Sequence, residues 1–93
     1  MGAQTPKTPK QLERHLKGVA NHWRIGILRL VAAQSGITLE VICKNLKGEY
    51  KTLSVHTQRL VHAGLVEKKY KGNSVEHFLT PYGKRFHDFL KAF

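Results

Sequence analysis

Residues 50–81 read YKTLSVHTQRLVHAGLVEKKYKGNSVEHFLTP, and the hydrophobic period changes twice within them. In the first part Leu53, Thr57, Leu60 and Ala63 or Gly64 share one side at helical spacing, and Gly64 closes the helix, expected over about 50–63. Residues 65–70 then read as a strand, Lys71-Gly72-Asn73-Ser74 as a turn and 75–79 as a second strand, so a hairpin follows the helix. Thr80-Pro81 starts another helix, because Thr caps and Pro suits the first helical position.

Working back from this stretch, Lys47-Gly48 stops a third helix over 39–46, with Gly48 expected to supply the left-handed turn. Thr38 caps that helix, and Leu39, Ile42 and Leu46 share one face. Ile37 is a short extended residue before it. Asn21 caps a second helix over 22–34, ended by Ser35-Gly36. Trp23, Ile25, Ile27, Leu28, Leu30 and Val31 cover most of its circumference, which marks it as the central helix. Thr8, Pro9 and Gln11 form a capping box for a first helix, on which Leu12, Leu16 and Val19 make a narrow apolar stripe. At the other end Tyr82, Phe86, Phe89, Leu90 and Phe93 repeat at i, i+4, i+7, i+8 and i+11. The expected core is Trp23, Ile27, Leu28, Val31, Ile42, Leu46, Leu53, Leu60 and Phe78. Residues 1–7 read as a flexible N-terminal arm and 8–93 as a single domain. The element order predicts an α+β, mainly helical fold: a winged helix-turn-helix with about five helices and a two-stranded β-hairpin wing. The fourth helix would enter the major groove, and the hairpin, about 65–79, would lie on the flanking backbone or minor groove.

The 93 residues suffice for one domain with a thin core, and 41% are hydrophobic, as in a folded chain. Sixteen Lys and Arg oppose six Asp and Glu, a net charge of +10 that favours a polyanionic partner. Cys43 is the only cysteine, so no internal disulfide forms, which suits a reducing cytosol. The longest apolar run, 25–33, is broken by Gly26 and Arg29 and is too short to span a membrane. Residues 1–7 lack the apolar centre of a signal peptide. A cytoplasmic, nucleoid-associated protein without membrane contact is expected.

Residues 20–86 resemble the ArsR-type repressors and, more loosely, the MarR-type ones. Residues 20–31, ANHWRIGILRLV, are similar to the family's second helix, in which an Arg precedes an Ile-Leu core pair. Residues 52–66, TLSVHTQRLVHAGLV, are similar to its recognition helix with the Ala-Gly-Leu-Val exit, and Leu79-Thr80-Pro81-Tyr82-Gly83 to its Leu-Thr-Pro-x-Gly after the wing. The resemblance implies a symmetric dimer built from the first and last helices, and repression by occupying an operator. Three positions depart from the family pattern. Glu49 stands at the usual Ser cap, Val55 where a basic residue is common, and Thr57 at a usual core Leu.

Candidate DNA-binding residues on the fourth helix are Lys51, Thr52, Ser54, Val55, His56, Gln58 and Arg59. Gln58 can pair with adenine, Arg59 with guanine or phosphate, and Val55 can touch a thymine methyl, whereas Thr52 and Ser54 suit phosphate or mixed contacts. On the wing Lys68, Lys69, Lys71 and Asn73 suit the phosphate backbone or a narrow minor groove. The bland reading is a solvated helix face, with lysines guarding an exposed strand edge. Dimer-interface candidates are Leu12, Leu16, Val19, Tyr82, Phe86, Phe89, Leu90 and Phe93, because a free apolar stripe of this kind rarely stays exposed. Metal sensing, which the resemblance raises, lacks its ligand pairs. Cys43 stands beside Lys44 rather than a second Cys, and adjacent His87 and Asp88 splay apart on a helix. The six histidines read as scattered surface residues, and Cys43 as a small buried one. No cofactor, metal or effector is read from the sequence, and nothing supports catalysis: there is no Gly-rich phosphate loop, acid pair or nucleophile–base constellation. The expected function is a sequence-selective double-stranded DNA-binding transcriptional regulator, a homodimeric repressor. The alternative is a winged-helix module that binds a protein or RNA through the same surfaces.

Overall fold

The computed structural model describes residues 5–93. Its elements are α1 (Pro9–Val19), α2 (His22–Ala33), α3 (Leu39–Leu46), α4 (Tyr50–His62), β1 (Val66–Lys71), β2 (Ser74–Leu79) and α5 (Pro81–Lys91). These are five helices and a two-stranded antiparallel sheet, the winged helix-turn-helix expected from the sequence. Local chemistry sets most of the boundaries. Thr8 and Gln11 close a capping box on α1, Asn21 accepts from the amides of Trp23 and Arg24, and Thr38 and Thr80 cap α3 and α5. Of the arm expected over 1–7, residues 1–4 lie outside the described residues, and Lys7 places its ammonium 4.3 Å from the Tyr82 ring centre.

The core sits around α2. Ile27, Leu28 and Val31 meet Ile37, Ile42, Leu53, Leu60, Leu65 and Val66, all of them buried. Thr57, on the inward side as expected and at a position where the ArsR-type pattern usually has a leucine, is also buried. Its hydroxyl donates to the Leu53 carbonyl one turn back at 2.7 Å, so no buried polar group is orphaned there.

Two local expectations are corrected. The left-handed residue after α3 is Lys47, with φ 54°, and not Gly48. Gly48 is needed for space instead: a β-carbon there would stand 2.7 Å from Leu53 Cδ1 and 3.2 Å from the Trp23 ring. Phe78, expected in the core, lies on the other face of the hairpin. Strand alternation lets either His77 or Phe78 point inward, and it is His77 that is buried, with Phe78 half-buried near the Lys69 ammonium. Two histidines expected on the surface, His15 and His77, are therefore buried, each with Nδ1 against a backbone carbonyl, that of Ala63 at 2.7 Å and of Ile37 at 2.9 Å.

His77 also ties the wing to the body. Its amide donates to the Ile37 carbonyl at 3.0 Å and its carbonyl accepts from the Gly36 amide at 2.9 Å, an isolated bridge beside the hairpin. Burial pushes the imidazolium below the ordinary histidine range; the bond to Ile37 opposes this and the Lys68 charge adds to it. The unfolded chain, titrating near pH 6.5, then binds more protons than the folded one below that pH. Stability should fall as pH drops through that value, by at most about 1.4 kcal/mol per pH unit from this group. Urea titrations between neutral pH and pH 5 check this, and a stability that holds steady or rises on acidification contradicts it.

The first turn of α5 is seated on the end of α4. The Thr80 hydroxyl donates to the Gly64 carbonyl at 2.6 Å, and its amide donates to the Leu65 carbonyl at 3.1 Å. Gly83 closes this seat, since a β-carbon on it would lie 2.0 Å from the Leu65 carbonyl oxygen, a backbone atom with nowhere to move. Gly83→Ala should destabilise the domain by about 1–3 kcal/mol or more. A thermal midpoint within a degree of the parent's would show that the seat is looser than described.

Candidate nucleic-acid interface

Helical spacing sorts the α4 candidates into three sets. Lys51, Val55 and Gln58, joined by His62 at i+11, form one stripe opposite the buried Leu53, Thr57 and Leu60. Lys51, Val55 and His62 are exposed and Gln58 is half-buried. Thr52, His56 and Arg59 occupy the flank toward α2, where the Arg24 guanidinium meets His56 Nδ1 at 3.1 Å. Ser54 faces the other way, into a cavity of about 250 Å³ between α3, α4 and the hairpin, which Asn73, Lys68 and His77 also line. No acidic residue occurs in α4. Glu49 at its N-cap makes no side-chain capping bond, in keeping with its departure from the family's Ser.

The three wing lysines, expected together at the hairpin tip, stand in different settings. Lys68 points inward, and its ammonium donates to Gln58 Oε1 at 2.6 Å, while Gln58 Nε2 lies 3.0 Å from His62 Nε2. The wing is thus tied to the outer stripe of α4 through the side chain best suited to read a base. Lys69, on the opposite face, lies 5.0 Å from the Phe78 ring centre. Lys71 flanks the two-residue turn Gly72-Asn73, where Gly72 adopts φ 62°, and both Lys71 and Asn73 are exposed.

His62, and the cations Arg14, Lys17 and Arg24 beside this flank, were missed in the sequence. The spacing of Lys51, Val55 and Gln58 extends directly to His62 and could have found it. Nothing local in α1 and α2 signals that their basic residues meet α4. His56 accepts from Arg24 and is held below the ordinary histidine range by burial first, then by Arg24, Arg59 and His22.

The dimer candidates also divide. Leu12 (47%), Leu16 (53%), Tyr82 (39%), Phe89 (56%) and Phe93 (93%) are exposed. Phe86 and Leu90 are half-buried against the core. Val19 is a correction: it is buried in the chain's own core, with no side chain left for a partner. The α1 and α5 stripes lie side by side, since Leu16, Arg85, Phe86 and Phe89 line one apolar groove and the His15 and Tyr82 rings are 5.2 Å apart.

No family profile matches the sequence, and no curated protein matches it. Solved structures do. The homodimeric winged helix-turn-helix DNA-binding domain of Mb0332 from Mycobacterium bovis, a possible ArsR-family transcriptional regulator, superposes with TM-score 0.81 at 25% identity, covering 99% of this chain and 88% of that one. HlyU from Vibrio cholerae gives 0.81 at 23%, covering 92% and 94%. A MarR transcriptional regulator from Methanosarcina mazei gives 0.73 at 23%, covering 89% and 60%. The likeness to an ArsR-type regulator extends over nearly the whole fold of the chain, and the MarR-type regulator shares that fold.

Proposed function

We propose that this chain is a sequence-selective, double-stranded DNA-binding transcriptional regulator that works as a homodimer and represses by occupying its operator. The observation that carries the reading is the acid-free outer face of α4, with Lys51, Val55, Gln58 and His62 in one stripe beside a basic hairpin. In the major groove that stripe meets base edges: Gln58 suits adenine, and Val55 a thymine methyl. Thr52, His56 and Arg59 lie toward α2 and suit the bordering strand, and Ser54 suits a mixed contact. Lys69, Lys71 and Asn73 serve the wing's contact with the flanking backbone or minor groove. The exposed face of Leu12, Leu16, Tyr82, Phe89 and Phe93 supplies the two-fold interface, with Phe86 and Leu90 beneath it. One neighbour with this fold, from Mb0332, is a homodimeric DNA-binding domain, which supports both halves of the reading. Such a regulator acts on the nucleoid in the cytoplasm, as one domain over 8–93, and needs no catalysis, cofactor or metal.

The bond from Lys68 to Gln58 makes the reading testable. Gln58→Ala should cost about 1–3 kcal/mol on the preferred sequence and relax selectivity at one position of each half-site. Lys68→Ala should change preference at that same position, because it frees the Gln58 amide. Lys71→Ala should weaken all sequences alike. Competition titrations on matched and scrambled duplexes read all three. If the three variants lose affinity with preference intact, α4 is not the reader.

A further inference from the structure

Five residues from three helices crowd one open pocket of about 220 Å³ where the end of α1 crosses α2 and α4. Arg14, Lys17, Arg24, Arg59 and His62 line it together with Gly18 and Ala63, and no acid does. Lys17 pairs with Glu13 at 3.5 Å on the exposed side of α1. Arg14 donates to the His62 carbonyl, which holds its guanidinium against the end of α4. Arg24 is the centre of the group. Its Nη1 faces His56 Nδ1 at 3.1 Å and its Nη2 donates to the Lys17 carbonyl at 3.4 Å. Its Nε is buried and, among the described residues, has no hydrogen-bond partner. Burial, and then the Arg59 charge, lower the affinity of this guanidinium for its proton. A guanidinium held among other cations, with no acid lining the pocket, is an arrangement that an anion completes.

We propose that this pocket is a binding site for a phosphate group, held by Arg14, Arg24 and Arg59. The planar guanidinium fork matches two oxyanion oxygens at once, and cations on converging helices meet a tetrahedral phosphate group from several sides. The pocket lies on the flank of α4 that carries His56 and Arg59, beside the stripe assigned to the groove. On the proposed DNA-binding function, its phosphate is a backbone phosphodiester next to the bases that α4 reads. The site itself rests on the residues lining it, and a free phosphorylated ligand carries the same chemistry.

The test has two arms. In the first, inorganic phosphate is titrated at constant ionic strength against the folded protein, and the side-chain Nε–H resonances of the arginines are followed by NMR. The proposal expects a saturable shift at Arg24 that is lost in both Arg14→Gln and Arg59→Gln, two exposed positions whose change leaves the core intact. In the second, the salt dependence of duplex binding is measured for the same variants. A fall of about one in the slope of log K against log salt assigns the phosphate to the DNA backbone. A saturable phosphate response with unchanged slopes assigns it to a free phosphorylated ligand, and the site stands. Absence of any saturable response at Arg24 overturns the proposal, whatever the slopes do. Should the parent protein bind no duplex at all, the DNA reading fails while the phosphate arm still decides the pocket.

Discussion

Raising the salt from 50 to 200 mM should weaken duplex binding by about 10³–10⁵, as expected for a dimer that neutralises roughly six to ten phosphates. The chain carries sixteen Lys and Arg against six acids. Among the described residues two Lys–acid ion pairs form, Lys17–Glu13 and Lys91–Asp88, both exposed. Most of the excess charge is therefore free to displace the counterions condensed on DNA. Lys51, Lys69, Lys71 and Arg59 are exposed on or beside the proposed interface, while Lys68 is partly committed to Gln58. Fluorescence anisotropy at four or five salt concentrations gives the slope. An affinity that changes less than tenfold over this range would falsify the electrostatic part of the account.

Replacing Leu16 and Phe89 together by glutamate should convert the proposed dimer to monomers and lower affinity for a two-half-site duplex by about 10²–10⁴, the usual gain from joining two binding events. Both side chains are more than half exposed in the single chain and line one apolar groove. Charges there leave the monomer core untouched, but in a two-fold interface each would be buried opposite its own copy, at a cost of several kcal/mol. Leu90, on the same helix, is a poorer choice because it packs against the core. Sedimentation at tens of micromolar and circular dichroism separate dissociation from unfolding. A parent protein that sediments as a monomer there yet binds DNA tightly would remove the dimer from the account.

The elements were legible because their signals are local. Capping residues Thr8, Asn21, Thr38 and Thr80 mark four of the five helix starts, and the shift from helical to alternating period after Gly64 marks the wing. What could not be read depends on distance. Whether His77 or Phe78 faces inward is decided by pairing with Ile37, forty residues earlier. Gly48 looked like a turn glycine, but its role comes from the nearby Leu53 and Trp23 side chains. The wing lysines were read as one set because they are adjacent in sequence, whereas strand alternation sends Lys68 to Gln58 and Lys69 to the other face. The cluster of Arg14, Arg24 and Arg59 draws on three helices, and each residue alone resembles an ordinary surface cation.

Selection of bound duplexes from a random pool, at a stated salt of about 150 mM, tests the central claim most directly. The account predicts enrichment of a near-palindromic site whose half-sites are centred about one helical turn, roughly 34 Å, apart. It also predicts that Gln58→Ala blurs one position in each half. A folded protein that returns the pool unenriched, or that retains single-stranded or RNA competitors as well as duplex, would contradict it.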